Sequence, residues 1–452
     1  MAAKPDLLNG AIRPTLTRMT VPMMLGIVSL MLFNLADVYF VGQLGIDPLA
    51  ALGFTFPVSF SIVSLAIGFG IGTSATLARL IGAGQQAEAG ALSTDNLLMT
   101  ALIVALISLG LQQLIDPIFG LMGAGPELLP LIDSYMSIWF VGSVFLVVNM
   151  VGNSSMRASG DTKTPAKLMA FSSVLNLILD PLLIFGYGPI PALGIEGAAI
   201  ASVIAWAITT LIILHVLFHR ARMLVIQPLV LSRILGHWRQ VMKIGLPAAL
   251  SNMMTPIANA VLTGLVAVHG AEAVAAFGVG NRLESISLLV CLALSMTLPP
   301  FISQNYGAQQ VDRVVGAYRG AVRFALGWQL LVYLLLLVFS NAIAGMFSDD
   351  QQVQELIGLW MLLVPVGFGC QAVTFLTASA FNALHQPLRA MRISVTRLFV
   401  LYVPFGWIGS QLADLQGMFA GLVAANIVVA AIAYYWMQRH LHRLQSQVTT
   451  TS

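Results

Sequence analysis

The sequence predicts an all-α integral membrane protein whose twelve transmembrane helices form two pseudo-symmetric six-helix bundles. Of its 452 residues, 58% are hydrophobic and 9% are charged, whereas soluble domains contain roughly 25% charged residues. The mean hydropathy is +0.89. Twelve apolar stretches are long enough to cross a bilayer, and a pattern in the first half of the chain recurs in the second half. These observations together predict a duplicated helical bundle.

The apolar stretches account for the predicted helices in order. A spanning helix needs about 20 apolar residues, and such windows start near residues 15, 54, 94, 131, 165, 195, 240, 280, 321, 357, 392 and 417. Each window is too long for a buried strand, and none has the alternation that marks a β-barrel strand. The first window lacks the flanking features of a signal peptide, so we expect none.

Basic residues are distributed unequally among the connections between these helices. If both termini lie on one side of the membrane, all but one of the 21 Lys and Arg residues share that side. Lys4 and Arg397 are assigned to this side, and Arg282 is the exception. The positive-inside rule makes the basic side cytoplasmic. We therefore predict a multi-pass protein with both termini in the cytoplasm.

An internal repeat relates the two halves of the chain. The segment GIDPLAALGF begins at Gly45 and GAEAVAAFGV begins at Gly270, which sets an offset of 225 in the numbering. The same offset pairs Pro22 with Pro247, and it pairs ARLIGAGQQ with ISQNYGAQQ. Chance similarity between Ala- and Gly-rich helices would not produce several matches at one offset.

The repeat predicts the domain organisation. Because each copy contains an even number of helices, both copies keep the same orientation in the membrane. Parallel repeats of this kind occur in one class of secondary transporters, which bind their substrates where the repeats meet. We predict an N-lobe of residues 1–225 and a C-lobe of residues 226–452, with the substrate site between them.

Two acidic residues lie deep within the predicted helices. A charged side chain at mid-bilayer costs about 2.5 to 3.5 kcal/mol on insertion scales, so such an acid is a functional candidate. Asp37 is in the first helix and Asp180 in the fifth. Asn176 lies four residues before Asp180 on the same helix face, and Asn34 lies three residues before Asp37. We predict that Asp37, Asp180 and Asn176 bind and release a proton or another cation near neutral pH.

The fourth predicted helix adds two amides to this cluster. Asn149 and Asn153 are also four residues apart, and we expect Asn153 to join the cation site and Asn149 to support it. At the offset of 225, Asn153 corresponds to Ala378 and Asp180 corresponds to Phe405. The sequence therefore predicts no equivalent cluster in the C-lobe.

Other readings apply to several of these residues. Buried acids and amides also hydrogen-bond membrane helices to one another without any transport role. Glu284, near the outer end of the eighth helix, is expected to pair locally with Arg282. Apolar side chains that are candidates for the substrate surface, but equally for packing, are Met31, Phe33 and Met150.

Pro22 lies in the same predicted helix as Asp37. Proline lacks the N–H group that would continue the helical hydrogen bonds, so it can kink a helix or be tolerated as a static bend. We predict that Pro22 is a hinge in helix one.

Composition and spacing exclude other classes of protein. Cys291 and Cys370 lie inside predicted helices without paired spacing, which indicates neither disulfides nor a metal site. The seven His residues do not have metal-ligand spacing, and neither a phosphate-binding loop nor a nucleophile elbow is present. No basic patch interleaves with aromatic residues, so we expect no nucleic-acid partner. An enzyme is not expected.

These residues and motifs resemble the multidrug and toxic compound extrusion (MATE) family over essentially the whole chain. The shared features are two six-helix halves, RASGDTKTP after helix four, and ARLIGAGQQ and ISQNYGAQQ after helices two and eight. The acids are similar to those of the bacterial DinF-like branch, in which an aspartate on helix one and an Asn-x-x-x-Asp pair on helix five form an N-lobe cation site. The resemblance assigns that site to Asp37, Asn176 and Asp180, and implies that helix one bends at Pro22 when the aspartate is protonated.

The resemblance implies a multidrug efflux antiporter that works by alternating access in the bacterial inner membrane. Its expected partners are the lipid bilayer and small drugs and toxins, mostly cationic and amphiphilic, and the expected state is a monomer without a cofactor. A proton gradient is the expected energy source. Two alternatives stay open: a sodium-coupled antiporter with Na⁺ at Asp37, Asn176 and Asp180, and a lipid-linked glycan flippase of the same superfamily. A flippase would need a basic cavity for pyrophosphate, and no Lys or Arg lies deep in the N-lobe helices.

Overall fold

The first half of the chain is helical, as predicted. The computed structural model describes residues 6–228 and 230–451, and Lys4 lies outside this part of the chain. Apolar segments become helices because a helix satisfies all of its backbone hydrogen bonds internally, as a lipid environment requires. The helices are α1 (Ile12–Gly42), α2 (Ile46–Gly82), α3 (Gln86–Gln112), the short α4 (Ile115–Leu121), α5 (Leu129–Ala158), α6 (Lys163–Ile184) and α7 (Ile195–His215), which continues as a π-helix at Val216–Arg220.

The second half has a matching set of helices. A 3₁₀ turn (Val364–Gly367) joins α13 to α14, and a π-helix (Thr396–Tyr402) joins α15 to α16. The helices are α8 (Leu231–Ala267), α9 (Ala271–Ser287), α10 (Leu289–Gly307), α11 (Val311–Val338), the short α12 (Ser340–Phe347), α13 (Gln351–Leu363), α14 (Phe368–Ala383), α15 (Pro387–Val395) and α16 (Val403–Thr451).

The described residues contain the twelve predicted spans. Ten helical stretches are long and apolar enough to cross a membrane, and α9 with α10, bent by 44°, makes an eleventh. One of the ten stretches, Pro387–Gln447, contains two spans because α16 reverses at Ala413 and Asp414, where the backbone leaves the helical region. The prediction of twelve membrane helices is therefore confirmed.

The parts of α16 before and after Ala413 and Asp414 form a hairpin, and glycines lie where these two parts approach each other most closely. A Cβ atom on Gly409 would overlap the carbonyl oxygen of Gly417, and one on Gly417 would overlap that of Gly409. A Cβ on Gly421 would likewise overlap the carbonyl oxygen of Phe405. Small residues let membrane helices approach backbone to backbone in this way.

Helix boundaries repeat at the offset found in the sequence. The offset of 225 relates three pairs of boundaries: the first residues of α2 and α9 (Ile46 and Ala271), the last residues of α2 and α10 (Gly82 and Gly307), and the last residues of α5 and α14 (Ala158 and Ala383). The internal repeat is therefore a repeat of structure as well as of sequence.

Positive backbone φ angles follow the same offset at the turns. Gly160 has φ 84° and its counterpart His385 has φ 58°. Gly84 has φ 76° and its counterpart Gln309 has φ 61°. Residues other than glycine rarely adopt this left-handed conformation, so the second half keeps the turn geometry of the first even where it has lost the glycine.

The chain divides into two compact units. The first unit is Val21–Ala249, and the second consists of residues 6–20 and 250–451. Each unit has its own hydrophobic core; Val241 of α8 belongs to the core of the first, and Leu16 and Met19 of α1 belong to the core of the second. The lobes at 1–225 and 226–452 stay a prediction based on the repeat, because these units exchange the first part of α1 and of α8.

Candidate functional site

Asp37 and Asp180 lie within electrostatic range of each other inside the first unit. Asp180 is fully buried, with an exposed fraction of 0%. Asp37 is half-buried, and its Oδ1 atom is buried without a hydrogen-bond partner. Both carboxyls interact electrostatically with the buried side chain of Tyr135 on α5, and with each other. The structure thus brings together the two acids that the sequence singled out.

Asn176 binds Asp180 one helical turn away on α6. The amide nitrogen faces Asp180, because its oxygen would otherwise face two acceptor oxygens. In this orientation the nitrogen donates to Oδ2 and Oδ1 of Asp180 at 2.6 and 2.8 Å, and the amide oxygen accepts from the Ser202 hydroxyl at 3.0 Å. Ser202 lies on α7, so this contact also ties α6 to α7.

The other predicted pair, Asn149 and Asn153 on α5, is also in contact. The Nδ2 atom of Asn153 donates to Oδ1 of Asn149 at 2.9 Å, and Nδ2 of Asn149 donates to the Thr209 hydroxyl at 2.7 Å. The Oδ1 atom of Asn153 is buried and has no hydrogen-bond partner. Like Oδ1 of Asp37, it is a buried acceptor available to a proton donor or a cation.

The remaining sequence-predicted residues are less enclosed. Asn34 is exposed, and Met31, Phe33 and Met150 are half-buried. The amide of Asn34 therefore does not share the burial of Asp37, because a spacing of three residues turns the side chain part of the way around the helix. Pro22 lies inside α1, next to the point where that helix passes from the second unit into the first.

Sequence reasoning missed the neighbours that complete the cluster. Tyr135 interacts with both acids, Ser202 contacts Asn176 and Thr209 contacts Asn149, yet each occurs in an apolar helix where tyrosine or a hydroxyl residue is ordinary. Ser202 and Thr209 are seven residues apart on α7, which places them on one face. That spacing predicts a polar face on α7, but it does not predict which helices pack against that face.

Glu284 does not pair with Arg282 as predicted. Residues two apart in a helix point in different directions, and in α9 Arg282 is exposed while Glu284 is half-buried. Oε1 of Glu284 instead accepts from Nε2 of the buried Gln371 on α14 at 2.7 Å. The predicted pairing of Glu284 with Arg282 is therefore wrong, while the offset positions of the first unit's acids and amides remain apolar in the second half, as Ala378 and Phe405 illustrate.

Arg397 is also misplaced by the sequence reasoning. It was assigned to a cytoplasmic connection, but it lies in the π-helix between α15 and α16 and is 7% exposed. Its guanidinium lies over the ring of Phe375, 4.7 Å from the centroid, and over that of Tyr402 at 5.6 Å. The second unit therefore contains a buried cation.

The donor set of the first unit differs from that of a typical metal site. No cluster of three or more His, Cys, Asp or Glu residues that could hold a metal occurs in residues 6–228 and 230–451. Asn176 offers Asp180 a donor nitrogen, whereas a hard cation needs oxygen ligands. Beside the Asp180 carboxylate, the oxygen that lacks a partner is Oδ1 of Asp37.

The fold and this cluster define a class of protein. Twelve helices in two structural repeats, with paired acids inside one unit, are the features of a secondary transporter. The MatE family model matches residues 22–182 and 247–408, and the two matches begin at Pro22 and Pro247, which the repeat offset relates. The chain belongs to the MATE family of transporters, and it is not an enzyme.

Similar proteins extend over almost the whole chain. The FAD transporter of Shewanella oneidensis is 40% identical over 439 residues, covering 97% of both chains. A probable multidrug resistance protein of Bacillus subtilis is 27% identical and covers 94% of both. The crystal structure of the Vibrio cholerae MATE transporter VcmN in the bent form is 36% identical, with a TM-score of 0.91 over 96% of this chain and 98% of that one.

Proposed function

We propose that this protein is a proton-driven antiporter that exports small organic molecules by alternating access. Asp37 and Asp180 are the coupling residues, Asn176 and Asn153 assist them, and the protein works as a monomer in the bacterial inner membrane with both termini in the cytoplasm. The observation that carries the proposal is the buried, unpartnered Oδ1 of Asp37 within electrostatic range of Asp180. A proton is the simplest partner for that oxygen.

Coupling requires only that substrate and proton favour different conformations. A ligand shifts an equilibrium by its differential affinity for the two states and by no more. Two carboxyls that interact inside one apolar unit titrate as a pair. Loading one proton therefore changes the charge of the cluster, and with it the balance between conformations.

The donor set favours a proton over Na⁺. In the proposed cycle the Asn176 amide stabilises the charged form of Asp180 by donating to both carboxylate oxygens. A sodium ion at Asp37, Asn176 and Asp180 would require the amide to turn and to give up its contact with Asp180. A proton on Oδ1 of Asp37, which has no partner, needs no such rearrangement.

The relatives suggest two classes of substrate. Relatives named for multidrug resistance or export, in Bacillus subtilis and Staphylococcus aureus, support drugs as the first candidate class, and we expect these to be amphiphilic and mostly cationic. The 40% identity to the FAD transporter supports a flavin dinucleotide as the second candidate substrate. The two classes differ in charge, so transport assays separate them.

The test is transport by purified protein in liposomes. A fluorescent organic cation and FAD are followed separately under an imposed proton gradient and then under a sodium gradient. The variants are Asp37→Asn and Asp180→Asn, and the matched control is Asp47→Asn, because Asp47 is exposed at the start of α2.

Proton-driven substrate transport that is lost in Asp37→Asn and Asp180→Asn and kept in Asp47→Asn supports the proposal. Movement that follows the sodium gradient contradicts proton coupling. Full activity of Asp37→Asn would remove this residue from the coupling mechanism and leave it a structural role.

A further inference from the structure

The side chain of Arg397 is buried without the anion that a buried guanidinium ordinarily has. Its exposed fraction is 7%, and its Nε atom is buried without a hydrogen-bond partner. Across the described residues, 6–228 and 230–451, the ion pairs within 4.0 Å involve Arg233 and His237 and do not include Arg397. Arginine is almost never fully buried unless it is paired.

Glu284 does not supply this anion. It is the acid that interacts electrostatically with Arg397, but its Oε1 atom accepts from Gln371 at 2.7 Å and no ion-pair contact joins it to the guanidinium. A long-range interaction balances part of the charge. It does not give the buried Nε donor a hydrogen-bond partner, and the guanidinium cannot lose its proton in a protein.

The π-helix explains how the guanidinium is held. A π-helix has hydrogen bonds between residues five apart, which brings Arg397 and Tyr402 to the same face. The ring of Tyr402 lies on the guanidinium, and Phe375 of α14 lies closer, at 4.7 Å. Cation–π contacts offset part of the desolvation cost of the guanidinium. They do not provide a hydrogen-bond acceptor for its buried Nε donor.

A buried guanidinium whose Nε donor has no partner matches one kind of ligand. Guanidinium binds carboxylate and phosphate oxygens through paired hydrogen bonds, and arginine is used where planar recognition of these groups matters. Single-turn π-helices inside α-helices also occur frequently at functional sites. The same apolar surroundings that make an unpaired cation costly strengthen its attraction to an anion.

We propose that Arg397 is a substrate-binding residue that binds the phosphate or pyrophosphate group of an anionic substrate. The proposal rests on the proposed transport function and narrows its substrate class. The pyrophosphate could belong to a soluble dinucleotide or to a lipid-linked molecule, and both present the same oxygens to the guanidinium.

The test is equilibrium binding to the purified full-length protein by calorimetry, without any ion gradient. The probes are FAD, riboflavin, which lacks phosphate, and farnesyl pyrophosphate. The variants are Arg397→Gln, which removes the charge, and Arg397→Lys, which keeps the charge but loses the planar group that forms paired hydrogen bonds. The matched control is Arg392→Gln, which removes an exposed arginine from the neighbouring α15.

Loss of a charge-assisted hydrogen bond should weaken pyrophosphate binding by about tenfold or more in Arg397→Gln. Riboflavin binding should not change, Arg397→Lys should be intermediate, and Arg392→Gln should bind like the wild type. If the wild type binds FAD more tightly than farnesyl pyrophosphate, the pyrophosphate group of the substrate belongs to a soluble nucleotide. If it binds farnesyl pyrophosphate more tightly, the pyrophosphate group belongs to a lipid-linked molecule.

Three outcomes would overturn the proposal: wild-type protein that binds neither pyrophosphate compound, equal losses for FAD and riboflavin, or an Arg397→Gln variant with unchanged FAD affinity. If Arg397→Gln does not fold, competition experiments on the wild type still test the proposal. Inorganic pyrophosphate must then weaken the binding of FAD and leave the binding of riboflavin unchanged. Binding needs no gradient, so a failure of proton-driven transport is recognised separately from a failure of this site.

Discussion

The Nδ1 atom of His237 on α8 lies 2.7 Å from Oδ2 of Asp95 on α3. The other ring nitrogen, Nε2, lies 2.9 Å from Oε1 of Glu88. Arg233 Nε adds a contact of 3.2 Å to Asp95. The network joins the first part of α8 to α3, which accounts for the place of residues 226–249 in the first unit.

Asp95→Asn should destabilise the protein strongly. Asp95 and His237 are 4% and 3% exposed at their side chains, and removing one partner of a buried pair costs about 3 to 5 kcal/mol. Equilibrium unfolding in mixed micelles measures the loss. The control is Glu88→Gln, whose side chain is 53% exposed and whose contact is worth less than about 1 kcal/mol. Equal losses from the two variants would contradict a dominant role for the buried pair.

Gly417→Ala should weaken the α16 hairpin. The new methyl group would overlap the carbonyl oxygen of Gly409, and relieving such overpacking costs about 1 to 3 kcal/mol. Thermal unfolding of the purified protein measures the change. Gly327→Ala on α11 is the matched control, because no atom lies within 4 Å of its Cβ position and alanine there should stabilise the helix by about 0.5 to 1 kcal/mol.

Pro22→Ala should slow transport without abolishing substrate binding. Alanine supplies the missing N–H group and stiffens α1 next to the point where the helix changes units, between Thr20 and Val21. Initial rates in proteoliposomes, measured beside binding affinity, separate the two effects. We expect a severalfold lower rate, because hinge residues absorb the backbone change of a conformational step. Pro57→Ala, inside α2, controls for general stiffening. A wild-type rate for Pro22→Ala would show that α1 need not bend there.

Arg313→Ala should loosen the segment before α1. Nη2 of Arg313 donates to the carbonyl oxygens of Leu7 and Gly10 at 3.1 and 2.7 Å, and Nε donates to Asn305 at 2.8 Å. Loss of these charged hydrogen bonds should speed amide exchange of residues 6–11 by about tenfold or more. Hydrogen exchange followed by mass spectrometry measures it. Exposed Arg323 provides the control variant Arg323→Ala, which should leave the exchange of this segment unchanged.

Membrane helices and the repeat were predictable because their signals extend over many residues. A span needs about 20 apolar residues, and the offset of 225 recurs in helix ends and in turn conformations, as Gly160 and His385 demonstrate. The pair Asn176 and Asp180 was predictable for a local reason, since a spacing of four residues in a helix fixes a shared face.

The second unit was not predictable in the same way. The sequence reasoning assigned Arg397 to a basic connection, and the π-helix that turns it inward leaves no mark in a pattern read with a period of 3.6 residues. Glu284 was paired with Arg282 because the two are close in sequence, but its partner Gln371 comes from another helix. Such long-range pairings depend on packing.

The exchange of helix segments between the units has a consequence for fragments of this protein. A fragment of residues 1–225 would contain residues 6–20, which pack in the second unit, but would lack the rest of that unit. A fragment of residues 226–452 would contain residues 226–249, which pack in the first unit, but would lack the rest of that unit. Each fragment needs the other to complete its core, as in a domain-swapped dimer whose two subunits are covalently joined. The halves should therefore complement each other only when they are produced together.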